Sequence, residues 1–185
     1  MKRIFCILIA MFLLNGCGTT TSEMDAAIEL RQKLLVNSCS FVADITADYG
    51  DTLYTFQMQC SVETSGNLTF TVIAPDTIAG ITGQINHEDA KLTFDNTVLS
   101  FPPLSDGKLA PVMAPWVFMN TLRSGFMSAC GKEGEEYLIF ADDSYADNAL
   151  HLEIRADSAM VPVGADIFWN QQRIVSIQIS DFMIQ

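Results

Sequence analysis

The sequence predicts an α+β protein built on a single, strongly curved antiparallel sheet, with helices on its concave side. Three features of the 185-residue chain predict this fold class. An amphipathic helical pattern comes first, and a long series of segments with alternating apolar residues follows. One segment, residues 112–122, is apolar without alternating. The alternating segments indicate a meander of strands, and the two non-alternating elements must pack against it.

The first predicted element is a helix of about 14 residues. Ser22 is typical of an N-cap, and Asp25 stands at the third helical position, where an acidic side chain completes the capping arrangement. The helix is expected to end near Asn37. Apolar residues recur through it at helical spacing, and they are Ala26, Ala27, Leu30, Leu34 and Leu35.

Period-two alternation begins at residue 39 and predicts strands over most of the remaining chain. Residues 39–47 and 54–62 form a hairpin around a two-residue turn at Tyr49 and Gly50. Residues 87–89 are expected to form a polar turn, and glycines in the fourth strand indicate strong curvature. The later predicted strands are residues 68–75, 78–85, 92–94, 98–101, 137–141, 150–154, 161–169 and 175–179.

Two cysteines lie in the first hairpin. The two-residue turn places Cys39 directly opposite Cys60, in the same register that aligns the apolar faces. An exported chain reaches a compartment that permits disulfides, so we favour a Cys39–Cys60 disulfide. The alternatives are two buried free thiols, or a pairing of Cys130 with one of the two.

Residues 112–122 predict a second, short helix that Pro115 opens and Gly125 ends. Its few polar side chains leave it apolar nearly all round, so it must be buried on most sides. The concentration of Met and aromatic residues has two interpretations: a plain core, or a cavity against the concave sheet that accepts an acyl chain or an apolar peptide. The candidate cavity residues are Met113, Trp116, Val117, Met119, Leu122 and Phe126.

The N-terminus has the three parts of a bacterial lipoprotein signal. Lys2 and Arg3 are followed by an apolar run at residues 4–14, which is too short to span a bilayer, and Gly16 precedes Cys17. We therefore expect cleavage after residue 16 and a covalent diacylglyceryl group on Cys17. The alternative is an ordinary secretory signal with a chance cysteine.

This signal predicts the organisation and location of the chain. We expect a signal peptide at residues 1–16, a lipidated tether at residues 17–21 and one folded domain at residues 22–185. The lipid would hold the domain on the extracytoplasmic face of the cell membrane. All 22 acidic residues but only eight of the ten basic ones lie after residue 16, which gives the mature chain a net charge of −14. Such a surface repels phosphate, so nucleic acid is not expected as a partner.

The sequence carries no convincing catalytic or metal-ligating pattern. His87 and His151 lack companions at the spacing of metal ligands. Ser105 and Lys108 have the spacing found in acyl-serine enzymes, but the residues around them indicate a loop rather than the required helix. Cys130 is expected to have a structural role, either as a buried thiol or in a disulfide, rather than to be reactive. We therefore predict a protein that is not an enzyme and has neither a metal nor a cofactor, apart from the lipid on Cys17.

The order of elements resembles the LolA/LolB-like prokaryotic lipoprotein superfamily, which includes outer-membrane lipoprotein-sorting and GerS-like lipoproteins. The resemblance covers residues 22–184. It rests on the helix that runs into the strand at residues 39–47, on the strand at residues 68–75 that ends in proline, and on the helix at residues 115–125. This fold is an incomplete, strongly bent barrel with helices in its open side. Arg123 and Arg155 are the candidates for the arginine of the family's carriers, although neither stands in a matching motif.

The resemblance implies binding rather than catalysis. Members of the superfamily carry or receive acylated lipoproteins, or regulate by binding protein or lipid partners. We therefore predict a membrane-anchored, non-catalytic lipoprotein that binds a lipid, acylated or protein partner in the concave face of the half-barrel. The alternative is an envelope scaffold or regulatory accessory lipoprotein with a filled core, which acts through protein–protein contacts.

Overall fold

The computed structural model describes residues 20–87, 90–94, 97–101, 104–105 and 108–185. Two α-helices are present in this part of the chain: α1 (Thr20–Val36) and α2 (Ala114–Ser124), which follows a 3₁₀ turn at Pro111–Met113. Neither described helix is long and apolar enough to cross a membrane. The signal peptide at residues 1–16, and the lipidated Cys17, lie outside the described residues and stay predictions.

Eleven strands form one open antiparallel sheet in the described part of the chain, and two short strands form a separate hairpin. The order across the sheet is β6-β5-β4-β3-β2-β1-β13-β12-β11-β10-β9. The strands are β1 (Cys39–Asp48), β2 (Leu53–Val62), β3 (Leu68–Ala74), β4 (Thr82–Ile85), β5 (Ala90–Phe94), β6 (Thr97–Phe101), β7 (Leu104–Ser105), β8 (Lys108–Leu109), β9 (Phe126–Glu133), β10 (Glu136–Asp142), β11 (His151–Ala156), β12 (Pro162–Trp169) and β13 (Gln172–Ile184).

The predicted fold class is confirmed. In β1 the side chains of Phe41, Ala43 and Ile45 are buried, while those of Asp44 and Thr46 are exposed. This alternation gives the sheet one apolar face, which shares a single core with α1 and α2. The prediction that the second helix is buried on most sides is also confirmed, since nine of its eleven residues are buried.

Helix α1 begins earlier than predicted. Its first residue is Thr20, so Ser22 lies within the helix and is not its N-cap, and the last two residues of the predicted tether are helical. The helix ends at Val36, close to the predicted end. There the Asn37 amide Nδ2 donates to the Lys33 carbonyl at 2.9 Å, which supplies a partner for one carbonyl of the last turn.

The predicted register of the first hairpin is wrong by two residues. The connection is a four-residue loop, residues 49–52, closed by the Tyr49 amide donating to the Thr52 carbonyl at 3.1 Å. Asp48 pairs with Leu53 at the end of the ladder. A shift of two residues keeps every side chain on its predicted face, because side chains alternate with a period of two, but it changes each cross-strand partner.

The predicted Cys39–Cys60 disulfide is wrong for the same reason. In the observed register Cys39 pairs with Val62 and Cys60 pairs with Phe41, so the two thiols are diagonal rather than directly opposed. Diagonal positions are about 7–8 Å apart, beyond the usual reach of a disulfide. Cys39, Cys60 and Cys130 are all buried free thiols.

We expect the domain without its signal peptide, with Cys17 replaced by Ser and no reductant added, to release three thiols when it is denatured. The same thiols should react slowly when the domain is native. Burial raises the pKa of Cys39 to about 11 and raises the pKa of Cys60 as well, so both are protonated at pH 8 and neither is a ready nucleophile. A thiol-specific chromogenic reagent, with and without denaturant, measures both quantities. Finding a single thiol in the denatured sample would instead support the Cys39–Cys60 disulfide.

Two other stretches differ from the predicted strands. The strand expected at residues 78–85 begins only at Thr82, because a turn follows Pro75 and Gly80 adopts a φ of +89°. Strand β9 was not predicted, since its residues hardly alternate and only Cys130 is buried. Of the polar turn expected at residues 87–89, the last two residues lie outside the described chain.

Candidate functional site

Five of the six candidate cavity residues lie in the core. Met113, Val117, Met119 and Leu122 are buried, and Trp116 is 9% exposed. All five belong to the single core that joins α2 to the sheet. The burial matches a packed interior, so the role of these side chains in a ligand cavity stays a prediction.

Phe126, the sixth candidate, lies apart from the other five. It follows α2 in β9, and its side chain is 44% exposed. Its ring contacts the exposed Tyr145 ring, with centroids 5.3 Å apart. Phe126 therefore faces the surface beside α1 rather than the interior.

Two polar groups on α2 are buried without a partner among the described residues: the Trp116 indole Nε1 and the Thr121 hydroxyl. The Trp116 ring also meets the His87 ring edge-on, with centroids 5.3 Å apart. Buried polar groups normally have a hydrogen-bond partner. These two atoms are the points of α2 at which a water or a polar ligand group would be stabilised.

Two arginines hold α1 and α2 together. Arg123, near the end of α2, donates to the Leu34 carbonyl at 2.7 Å, to the Glu63 carbonyl at 3.2 Å and to the Thr64 carbonyl. It therefore links the last turn of α1 to the β2–β3 loop. The C-terminal carbonyls of a helix have no partner within the helix, so this contact supplies a donor that α1 lacks.

Arg31 makes the reciprocal contact. From α1 it donates to the Leu122 carbonyl at 2.7 Å, to the Thr121 carbonyl at 3.3 Å and to the Gly125 carbonyl at 2.7 Å. The first two are carbonyls of the last turn of α2, and the third belongs to its C-cap residue Gly125. A cation at this end is also favoured by the helix dipole. Each helix thus carries an arginine that completes the C-terminus of the other.

Arg123 and Arg155, the two candidates for the arginine of the family's carriers, both contact other residues of this chain. Arg123 is occupied by the backbone contacts to α1 and the β2–β3 loop. Arg155 pairs across two strands with Asp166, with Nη1 and Oδ2 2.8 Å apart. The described contacts of both arginines are thus within the fold.

An apolar groove lies between α1 and the sheet. The cavity is about 320 Å³ in volume. Its apolar walls come from one face of α1, from the turn before β12 and from the end of β13. The residues that line this α1 groove are Ala26, Glu29, Leu30, Lys33, Ala159, Met160, Val161, Pro162, Phe182 and Ile184.

The turn before β12 forms one wall of this groove, and hydrogen bonds fix its conformation. The Asp157 carboxylate Oδ1 accepts the backbone N–H of Ala159 at 2.8 Å and that of Val161 at 2.9 Å. Two backbone hydrogen bonds close the same turn, and Met160 adopts a left-handed φ of 62°. The turn holds Met160 against the groove at a strained backbone position, which costs of order 1 kcal/mol.

The rim of the groove is charged while its floor is apolar. Glu29 and Lys33 form an ion pair at 2.9 Å on the exposed side of α1, whereas Leu30, one position on from Glu29, is buried. An exposed pair of this kind adds little stability, and either partner can exchange it for a ligand group. The arrangement suits an amphiphile with an apolar chain and a polar head.

The titratable residues do not assemble a metal site in the described part of the chain. No group of three or more His, Cys, Asp or Glu residues is placed to hold an ion there. His151 Nδ1 lies 2.8 Å from the Asp142 carboxylate, between the rings of Phe140 and Phe168. Each of the two histidines in the sequence thus has a neighbour in the fold: Asp142 for His151, and Trp116 for His87.

Sequence reasoning did not find the α1 groove. Its walls come from residues 26–33, 159–162 and 182–184, which only the fold brings together. The one local signal was Phe182, which continues the apolar residues of β13 beyond the predicted end at residue 179. Strand β13 continues to Ile184, with a bulge where Asp181 has a φ of 52°.

Similarity to known proteins is found at the level of structure. No protein-family model matches the sequence, and no curated protein matches it. The fold is similar to a LolA superfamily protein from Nitrosomonas europaea, with 10% identity, a TM-score of 0.46, and coverage of 91% of this chain and 94% of that one.

Two further solved structures are similar over comparable lengths. A putative outer membrane lipoprotein-sorting protein domain from Vibrio parahaemolyticus has 11% identity and a TM-score of 0.45, with 90% of this chain and 94% of that one covered. The lipoprotein LppX from Mycobacterium tuberculosis has 9% identity and a TM-score of 0.43, with 87% and 93% covered. All three alignments extend over most of both chains.

Proposed function

We propose that this chain is a non-catalytic, membrane-anchored lipoprotein of the cell envelope that binds an acyl chain in the α1 groove. The diacylglyceryl group on Cys17 would hold it at the membrane. The observation that carries the proposal is the apolar cavity of about 320 Å³ beside α1, with its ion pair at the rim. Its volume lies at the small end of the range of ligand pockets.

The groove is favoured over the concave face because of where α2 lies. Helix α2 fills the concave side with buried side chains, and two arginines fix its position relative to α1. A ligand under α2 would have to displace that packing. A ligand in the α1 groove would cover Leu30 and Met160 without disturbing the core.

A second candidate function is an accessory lipoprotein that acts through protein–protein contacts. The filled interior around α2 favours it. Exposed apolar side chains beside α1 supply a surface for a partner, with Ile28 41% exposed and Tyr145 87% exposed. Under this alternative the protein binds no acyl chain in solution.

Ala26→Trp is expected to weaken acyl-chain binding about tenfold or more, because the indole would fill the groove from a helical position. The matched control is Gln32→Trp, on the exposed face of α1 outside the groove. Both variants carry Cys17→Ser and are titrated with a fluorescent fatty acid. Equal affinities in the two variants, or no uptake by the parent protein, would contradict the proposal.

The source of the acyl chain is separated by a second titration. A fatty acid and a diacylated lipopeptide are compared as competitors for the same fluorescent probe. Stronger competition by the lipopeptide identifies an acylated protein as the ligand, and equal competition identifies a free lipid. Competition by neither would leave only the accessory function.

A further inference from the structure

The outer face of the sheet, away from α1 and α2, carries a wide depression lined mostly by Ser, Thr and Gln residues. Its volume is about 920 Å³. A twisted sheet is saddle-shaped, so a face that is convex in one direction is concave in the other. The residues that line this outer groove are Ser40, Gln59, Cys60, Ser61, Thr69, Phe70, Thr71, Thr82, Gly83, Gln84, Lys91, Thr93, Met183 and Gln185.

The polar residues form two parallel rows across the strands. Each row follows from the strand register, since each residue pairs with the next one across the sheet. Strands are about 4.8 Å apart, so a row across six strands is about 24 Å long. One row is Met183, Ser40, Ser61, Thr69, Gln84 and Lys91, and the other is Gln59, Thr71, Thr82 and Thr93.

The hydroxyls and amides of these rows are available to a ligand. In the described part of the chain, seven of them make no side-chain hydrogen bond to protein: Gln59, Ser61, Thr69, Thr71, Thr82, Gln84 and Thr93. Ser40 accepts one weak contact, from Gln185 Nε2 at 3.4 Å. A line of neutral donors and acceptors is therefore presented over several strands.

The charge of the residues that line the outer groove argues against a polyanionic ligand. The described residues of the outer groove include no carboxylate, and Lys91 is the one charged residue among them, in a mature chain of net charge −14. A polyanion needs several cations and is repelled by the surrounding surface. A second depression shares Ser40, Gln59 and Met183 with the groove and adds Asp181, which strengthens that repulsion.

The strand pairing argues against an extended peptide. A peptide that binds by adding a strand needs a free sheet edge. The strands β1 to β5 each have a neighbour on both sides. The outer groove also offers few apolar contacts for a peptide side chain. Met183 is the one large apolar side chain of the lining that is well exposed.

We infer that the outer groove binds a segment of neutral glycan, whose hydroxyl and amide groups pair with the two polar rows. A chain of hydroxyl-bearing sugars offers a donor and acceptor at every unit, which matches a row of Thr, Ser and Gln side chains. The groove lies on the opposite face of the sheet from the helices. The protein would thus contact a surface polysaccharide with one face and an acyl chain beside α1.

The test uses the full lipidated chain, purified in a zwitterionic detergent that has no sugar headgroup. The probes are a tetramer of N-acetylglucosamine and maltotetraose, and binding is measured by calorimetry. We expect saturable binding of at least one probe. The double substitution Thr69→Val and Thr71→Val, which keeps the side-chain shape and removes two hydroxyls, should weaken it tenfold or more.

The control is the pair Thr46→Val and Thr55→Val. These residues are cross-strand partners on the same outer face but lie outside the groove, so binding should be unchanged. Thr82→Val on the neighbouring strand tests the second row independently, and valine is well tolerated in strands. Absence of binding by both probes, unchanged affinity in Thr69→Val/Thr71→Val, or preferential binding of heparin or of an unstructured peptide would each overturn the inference.

Discussion

Arg123→Leu is expected to lower the free energy of unfolding by about 2–4 kcal/mol. Arg123 is only 8% exposed, and it donates to the carbonyls of Leu34, Glu63 and Thr64. Leucine fills the space but leaves these carbonyls without their donor. A buried acceptor that loses its partner costs about 1–3 kcal/mol.

Urea unfolding, followed by tryptophan fluorescence, measures this loss. The control is Arg173→Leu, since the Arg173 side chain is 61% exposed and its Nη1 lies 3.6 Å from Asp166. An exposed pair of this kind contributes about 0–1 kcal/mol. Arg123→Lys should give an intermediate loss, because an ammonium cannot span three carbonyls. A loss below about 1 kcal/mol for Arg123→Leu would show that the contact does not hold α1 and α2 together.

The arginine contacts bear on how this fold can bind a ligand. Arg31 completes the C-terminus of α2 while Arg123 completes that of α1, so four donor–acceptor pairs join the two helical segments. Two further pairs tie Arg123 to the β2–β3 loop. Moving α2 away from the sheet would break both sets and expose a largely apolar helix. This cost favours ligand sites at the surface of the packed domain over one beneath α2.

The sequence was informative where a local pattern determines the structure. The burial of α2 could be predicted because Pro115 opens an apolar segment that Gly125 ends, and no partner had to be known. The faces of the first hairpin were also correct, since alternation alone decides them. Its register depended on the loop length, and the loop holds four residues rather than two because Asp48 and Leu53 close the ladder.

The proposed binding surfaces could not be predicted, because each is assembled from distant segments. Arg31 gave no sign of its role as a cap for α2, which lies about 90 residues further along the chain. The outer groove depends on the registers of six strands, and an error of two residues in one hairpin displaces its rows. Thr69 and Thr71 look in the sequence like the ordinary polar face of a strand.

Phe118→Ala is expected to lower the free energy of unfolding by about 3–5 kcal/mol. The Phe118 side chain is fully buried in α2, and its ring meets the Phe41 ring of β1 edge-on, with centroids 6.1 Å apart. Truncation removes this contact and leaves a cavity in the concave side of the sheet. The matched control is Phe126→Ala, whose ring is 44% exposed and should cost about 1 kcal/mol or less.

The same variant tests the proposed site of acyl-chain binding. If the concave side is a packed core, Phe118→Ala lowers stability and leaves fatty-acid affinity at the α1 groove unchanged, because Phe118 does not line the groove. The groove residue Phe182 stacks on the Phe41 ring, with centroids 5.7 Å apart, and the substitution does not remove that contact. The new cavity would instead accept a small apolar molecule such as benzene, as apolar engineered cavities do. A small loss of stability together with a changed fatty-acid affinity would place the ligand beneath α2, where the sequence first suggested it. The two measurements together thus separate a packed interior from a ligand-binding one.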